Sequence, residues 1–188
     1  MPNKGGGQGL LPVAEARERI LAGLSPGQAE TCHLAEAMGR VLASDVAARL
    51  SLPVEPVSAM DGYAARVADC GSVGTTLTRI GESAAGRPWT GTLGAEQAVR
   101  IFTGAVIPDG ADCIILQEDV DASAEEDGAS VIIGEVPREG RFIRPAGLDV
   151  TAGDVILAAG TVMSARLIAL ATSAGHTHVS LWPRPHVG

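Results

Sequence analysis

Short extended runs separated by Gly and Pro dominate the chain after Leu50, and this punctuation limits the folds that the chain can adopt. Its 24 Gly and 11 Pro in 188 residues disfavour a helical bundle and favour tight turns. Aromatic residues make up only 3%, so Ala, Val, Ile and Leu must build the core. The pattern predicts a β-rich protein. Its expected strands are 63–68, 75–80, 98–102, 113–116, 131–133, 142–144 and 155–157.

Helical segments are expected on both sides of this β-rich centre. Residues 12–24 carry apolar side chains at helical spacing, namely Val13, Ala16, Ile20 and Leu24. Residues 35–45 carry a similar stripe and predict a second helix. Ser164 is a suitable N-cap for a third helix that ends at Gly175. A last strand is expected at 176–181.

Charge, hydropathy and cysteine content limit the partners and the compartment expected for the chain. A net charge of -8 argues against nucleic acid, which selects basic surfaces, but still permits a small anionic ligand held by local arginines. No apolar run reaches the roughly 18 residues needed to cross a bilayer. Cys32, Cys70 and Cys113 are odd in number and form no CxxC pair, which predicts free thiols in a reducing cytoplasm.

Three blocks carry the candidate chemistry, and they are Pro-Val-Ser-Ala-Met-Asp-Gly-Tyr-Ala at 56–64, Val-Arg-Ile-Phe-Thr-Gly-Ala at 99–105 and Ile-Arg-Pro-Ala-Gly-Leu-Asp-Val at 143–150. The second block continues to Ile-Leu-Gln-Glu at 115–118. Asp61-Gly62 suits a tight turn, so Asp61 is either a turn acceptor or a site carboxylate. Thr103 ends a predicted strand, where its hydroxyl either satisfies the backbone or binds a ligand.

Together the three blocks resemble the molybdopterin molybdotransferase family, which includes MoeA and the E domain of gephyrin. The resemblance covers about 12–183 and only the N-terminal part of the family. It implies an α+β, β-rich fold, in which a β-barrel-like domain is inserted into a discontinuous, elongated α/β dimerisation domain. The expected divisions are a disordered tail at 1–11, an N-terminal helix at 12–25, the dimerisation domain at 26–51 and 140–175, the inserted domain at 52–139, and a linker at 176–188 towards a missing pterin-binding domain.

The resemblance also implies a function and a set of site residues. The family inserts molybdenum from molybdate into adenylylated molybdopterin, with Mg²⁺ as the cofactor, in a cytoplasmic homodimer whose site is shared between subunits. It implies catalytic roles for Asp61 and Thr103, with Asp61 also binding the metal. Cofactor contacts are implied for Ser58, Gly104, Arg144 and Asp149. The family usually has a polar residue before this last Asp, where this chain has Leu148.

Two other functions fit the sequence. The chain contains no Ser-His-Asp order, phosphate-binding P-loop or GxGxxG motif, and it lacks a complete acid–base pair. It is therefore expected to lack catalysis without the pterin-binding half. A dimeric scaffold or binding module without enzyme activity is the first alternative, and a diverged β protein without chemistry is the second.

Overall fold

The computed structural model describes residues 10–25 and 27–185, so residues 1–9 of the predicted tail at 1–11 and residues 186–188 of the predicted linker lie outside the described residues. Two α-helices, α1 (Val13–Ala22) and α2 (Ala165–Ser173), lie towards the two ends of this range. The strands are β1 (Glu30–His33), β2 (Val46–Ala47), β3 (Val57–Ser58), β4 (Gly62–Ala65), β5 (Thr76–Ser83), β6 (Gln97–Ile101), β7 (Cys113–Leu116), β8 (Val120–Ala122), β9 (Ser130–Ile133), β10 (Ile143–Arg144), β11 (Val155–Leu157) and β12 (His178–Leu181). Short 3-10 helices occupy Leu34–Glu36, Val67–Asp69 and Gln117–Asp119.

Six strands form one sheet in the order β7-β4-β6-β5-β9-β8, which curls into a half-barrel. Adjacent strands in this sheet are antiparallel, except β5 and β6, which run parallel. In this sheet Gly62, the first residue of β4, lies opposite Ile101 on β6 and Leu116 on β7. The start of β4 therefore meets the ends of both neighbouring strands at one place.

The other strands form three pairs that are nested along the chain. β1 pairs with β12, β2 with β11 and β3 with β10, each antiparallel. All six strands of the larger sheet lie in sequence between β3 and β10. The chain thus runs outwards through three strands, forms the sheet, and returns beside its own first segment.

Apolar side chains form separate clusters in these two regions. Leu42, Met163 and Leu181 are almost fully buried in a cluster between the nested pairs and α2. In the six-stranded sheet, Tyr63 and Ala64 belong to different clusters because successive strand residues point to opposite faces. All four residues of β4 are buried, so the strand beside the candidate site is covered on both faces.

The helical predictions have mixed outcomes. The first and third helices are confirmed as α1 and α2, and the Ser164 side chain caps α2 by accepting a hydrogen bond from Leu167 N. The predicted helix at 35–45 is wrong. The 3-10 helix ends at Glu36, Gly39 follows with a φ of +71°, and Val41 and Leu42 then bridge to Val162 and Leu181. Long-range pairing therefore overrides the local helical pattern.

The β-rich class is confirmed, and every predicted strand overlaps an observed one. Neither helix of the described residues combines the length and the apolar character needed to cross a bilayer. All three cysteines are free, as predicted. The domain boundaries stay a prediction.

Candidate active site

Three strand ends bring the candidate site together. Asp61 immediately precedes β4, Thr103 follows β6, and Gln117 follows β7. These positions are distant in sequence, but the antiparallel register places the start of β4 beside the ends of β6 and β7. The Gln117 N–H donates a hydrogen bond to the Asp61 carbonyl at 3.3 Å, which links the end of β7 to the residue before β4.

Asp61 and Thr103 are in direct contact. One carboxylate oxygen, Oδ1, accepts a hydrogen bond from Thr103 N at 2.7 Å and another from Thr103 Oγ1 at 2.8 Å. The other oxygen, Oδ2, makes no hydrogen bond within the described part of the chain. The arrangement leaves one carboxylate oxygen free for a ligand.

Two glycines make this convergence possible. A Cβ on Gly62 would lie 2.0 Å from the Ile115 carbonyl oxygen, so only glycine lets β4 and β7 approach at this point. Gly104 has a φ of +80°, which a side chain would strain, and its N–H donates to the Ser58 carbonyl at 2.8 Å. This bond ties the turn that carries Thr103 to β3.

Hydrogen bonding sets the charge state of Asp61. The Thr103 backbone N–H, and then its hydroxyl, lower the pKa of the Asp61 carboxyl, and the positive charge of Arg100 lowers it further. The carboxylate form is thereby favoured. An ionised carboxylate is an acceptor only, so the free oxygen can take a proton-bearing group or a cation.

A cavity of about 350 Å³ opens over this pair. Its lining residues are Met60, Asp61, Thr103, Leu116, Gln117 and Glu118. Thr103, Gln117 and Glu118 are exposed, so their polar groups are accessible from solvent. The cavity therefore carries two carboxylates, one hydroxyl and one amide.

A larger cavity, of about 480 Å³, lies elsewhere, over residues 135–142. One of its lining cations, Arg141, pairs with Glu135 at 2.8 Å and with Asp119 at 3.7 Å. None of the predicted site residues lines this larger cavity.

The remaining predicted site residues do not line the cavity over Asp61. Ser58 is buried and its hydroxyl donates to the Met60 carbonyl at 2.6 Å, so it supports the loop that leads to Asp61. Gly104 is exposed beside Thr103. Arg144 and Asp149 pair with each other through Nη2, at 2.8 Å from Oδ1 and 2.6 Å from Oδ2. This ion pair sits at β10, whose partner strand β3 leads into the Asp61 loop.

The oxygen-rich cavity over Asp61 offers part of a site for a divalent cation. No cluster of three or more His, Cys, Asp or Glu side chains that could hold a metal ion occurs among residues 10–25 and 27–185. Mg²⁺, however, is commonly bound through one or two carboxylates together with water and substrate phosphates. The free Asp61 oxygen fits that kind of partial site, whereas it does not fit a complete protein cage.

Three polar residues at the site were not among the predicted site residues. Gln117 and Glu118 line the cavity, and Arg100 donates to Gln117 Oε1 at 2.6 Å. Gln117 and Glu118 were visible in the second sequence block, which also contains Arg100. Their role follows from the strand register, and the register is absent from a linear pattern.

Comparison with known proteins identifies the family and agrees with the fold. The family model of the MoeA N-terminal region, comprising domains I and II, matches residues 11–175. The molybdopterin molybdenumtransferase of Haemophilus influenzae is 37% identical over 180 residues, and that of Bacillus subtilis is 31% identical over 182. A crystal structure of the molybdopterin biosynthesis moeA protein from Pyrococcus horikoshii superposes with a TM-score of 0.80 at 30% identity, over 92% of this chain.

These matches cover only part of each relative. The Haemophilus and Bacillus matches include 95% of this chain but 44% and 42% of those proteins, and the Pyrococcus match includes 92% of this chain but 46% of that one. The chain thus spans less than half the length of the relatives that it matches.

Proposed function

The chain belongs to the family of the MoeA N-terminal region, and on that premise we propose that it supplies one half of the active site of a molybdopterin molybdotransferase. The whole enzyme would insert molybdenum from molybdate into adenylylated molybdopterin and release the molybdenum cofactor and AMP. The observation that supports this role is the contact between Asp61 Oδ1 and the N–H and hydroxyl of Thr103.

Asp61 is the central residue of this half-site. Because both Thr103 hydrogen bonds are made to Oδ1, Oδ2 keeps its negative charge available for a ligand. It can accept a hydrogen bond from a water or a protonated oxyanion and orient it. Thr103 donates its hydroxyl proton to Asp61, so its oxygen offers lone pairs rather than a proton to the ligand.

Mg²⁺ is the proposed cofactor, and Asp61 is the residue that would hold it. When bound, the cation supplies neutralisation of the phosphate charge at the link that is cleaved. Glu118, which also lines the cavity, is exposed and adds a second carboxylate. Ser58, Gly104, Arg144 and Asp149 would act as the support of this half-site, with the Arg144–Asp149 pair at its edge.

A second copy of the chain is the proposed partner. The nested strand pairs together with α1 and α2 would form the discontinuous dimerisation domain. α1 has no buried residue, and Val13 and Ile20 on it and Leu24 just after it are all at least 66% exposed, so this apolar stripe has no cover from residues 10–25 and 27–185. The pterin-binding half would come from another domain, across the dimer, and the assembly would work in the cytoplasm, as three unpaired thiols suggest.

The test is a chimera. Residues 11–175 of this chain replace the matching region of the Haemophilus relative, and formation of molybdenum cofactor from adenylylated molybdopterin and molybdate is measured. Asp61→Asn should lower turnover by roughly 10- to 1000-fold if one transition-state contact is lost. Asp109→Asn, an exposed carboxylate outside the cavity over Asp61, is the matched control and should leave turnover unchanged.

Two further results complete the test. The chain alone should form no cofactor, because it cannot position both reactants. Mixing an inactive Asp61→Asn chimera with a chimera damaged in its pterin-binding half should restore part of the activity when subunits exchange. An active Asp61→Asn chimera, or no rescue despite proven exchange, contradicts the shared half-site.

A further inference from the structure

Arg100 joins the strand ends that surround the candidate site. Its Nη1 donates to the Gly62 carbonyl at 3.0 Å, and its Nη2 donates to Gln117 Oε1 at 2.6 Å. Gln117 in turn donates its backbone N–H to the Asp61 carbonyl at 3.3 Å. The Arg100 guanidinium therefore holds the Gly62 carbonyl directly. Through Gln117 it also holds the Asp61 carbonyl.

Two aromatic rings fix the orientation of the guanidinium. Its central carbon lies 5.2 Å from the ring centre of Tyr63 and 4.7 Å from that of Phe102. Tyr63 lies directly opposite Arg100 in the register of β4 and β6, and Phe102 follows the end of β6. A planar guanidinium can stack on rings and donate to two acceptors in one geometry, whereas a lysine ammonium cannot do both.

We propose that Arg100 is the positioning residue of this site, acting through Gly62 and Gln117 to hold the Asp61 carboxylate against Thr103. Arg100 is not among the residues that line the cavity over Asp61 and lines the neighbouring one with Gln117. It is thus placed to orient the site residues without touching a ligand there. Its catalytic consequence rests on the proposed function, but its structural effect on Asp61 and Thr103 does not.

The competing role is simple stabilisation of the sheet, and hydrogen exchange in the 188-residue chain separates the two. The sensitive group is Thr103 N–H, which donates to Asp61 Oδ1. In Arg100→Lys and Arg100→Gln, protection of this amide should fall about tenfold or more while the amides of β5 and β9 keep theirs. Arg87→Lys is the control, since Arg87 is an exposed arginine that pairs with Glu82 on β5.

Parallel loss of protection at Thr103 and throughout β5 and β9 would overturn the positioning role. A double-variant cycle adds a second criterion. Because Arg100 is inferred to act partly through Gln117, Arg100→Gln combined with Gln117→Leu should lower Thr103 protection by less than the sum of the two single effects. Full additivity overturns the route through Gln117. Since Gln117 is exposed, its replacement leaves the core packing intact.

Turnover in the chimera gives the functional readout. Arg100→Lys should reduce kcat about tenfold with little change in KM, because the charge is retained and only the placement of Asp61 is disturbed. Unchanged kcat would overturn the catalytic consequence. If the chimera carrying Arg100 is itself inactive, the proposed function fails, and the exchange measurement still decides whether Arg100 positions Asp61.

Discussion

The Asp61 carboxylate owes its low pKa chiefly to the backbone N–H of Thr103 and secondarily to the Thr103 hydroxyl. The Thr103 hydrogen bonds favour the ionised carboxylate of Asp61. They therefore stabilise the fold at pH values above the ordinary Asp pKa of about 3.9. The contribution is lost as the pH falls through the lower, folded-state value. The stability of the chain should therefore decline on acidification in part through this one group.

Substitution of Thr103 tests that origin. Thr103→Val keeps the size and the backbone N–H but removes the hydroxyl, so the pKa of Asp61 should rise and still remain below about 3.9. Thr103→Ser keeps both donors and should leave the pKa unchanged. Carboxyl ¹³C shifts recorded across an acid titration measure it. An equal shift in both variants would show that the hydroxyl is not a source of the depression.

Cys70 and Cys113 are a second case in which contact is invisible in sequence. Both are fully buried in one cluster of the six-stranded sheet, where Cys70 Sγ donates to the Arg66 carbonyl at 3.3 Å and Cys113 Sγ donates to the Ala65 carbonyl at 3.4 Å. The neighbouring Cys70 thiol, and then burial, raise the pKa of the Cys113 thiol. Because both thiols are fully buried, alkylation of the native chain near pH 8 should be slow at both residues, whereas denaturation should release all three thiols. Rapid native labelling of Cys113, read by mass spectrometry, would contradict this expectation.

At the residue scale, the resemblance named the candidate site residues but gave none of their contacts, and their roles stay a prediction. Asp61 and Thr103 were expected in one site, and the structure adds that the hydroxyl proton points to the carboxylate instead of a ligand. Gln117 was overlooked because its position depends on which strands pair. Ser58 was expected to contact the cofactor, which stays a prediction, and the structure adds that its hydroxyl donates to the Met60 carbonyl, since a small hydroxyl in a tight loop readily satisfies nearby backbone.

At the scale of elements, the close approach of β4 and β7 depends on one glycine. Gly62→Ala would place a Cβ against the Ile115 carbonyl, a backbone atom that cannot move aside. The variant should lose at least about 2 kcal/mol of unfolding free energy. Gly71→Ala is the control, because no atom lies within 4 Å of its added Cβ, and it should stay within about 0.5 kcal/mol of the parent chain. Urea denaturation followed by circular dichroism compares them, and equal midpoints would rule out the close approach.

Strands were easier to predict than the irregular first segment. Turn residues bound most strands on both sides, so their positions follow from local chemistry, as at Cys113–Leu116 and Val155–Leu157. The segment 35–45 has a helical stripe but forms bridges to residues more than a hundred positions away. Such pairing has no local signature, which is why the helical prediction failed there.

At the scale of the whole molecule, the exposed stripe of α1 leads to a prediction about assembly. Sedimentation should give a dimer at tens of micromolar, with an interface larger than a crystal contact. The combined change Ile20→Glu and Leu24→Glu should shift the chain towards monomer, because charges would enter an apolar contact. Arg17→Gln, which changes a polar residue of α1, is the control and should leave the dimer unchanged. A parent chain that sediments as a monomer would contradict the prediction.

The nesting of the strand pairs has a consequence for how the chain assembles. The Arg40 contact with the Trp182 carbonyl spans 142 residues, the Ser51 contact with Ala152 spans 101, and the Asp61 contact with Thr103 spans 42. Since closing a loop becomes less favourable with length, the innermost contacts are the easiest to form first. Each inner pair then shortens the gap that the next must close. The six-stranded sheet would form first, followed by the β3–β10, β2–β11 and β1–β12 pairs in turn. β1, the first strand to be synthesised, would be the last to pair.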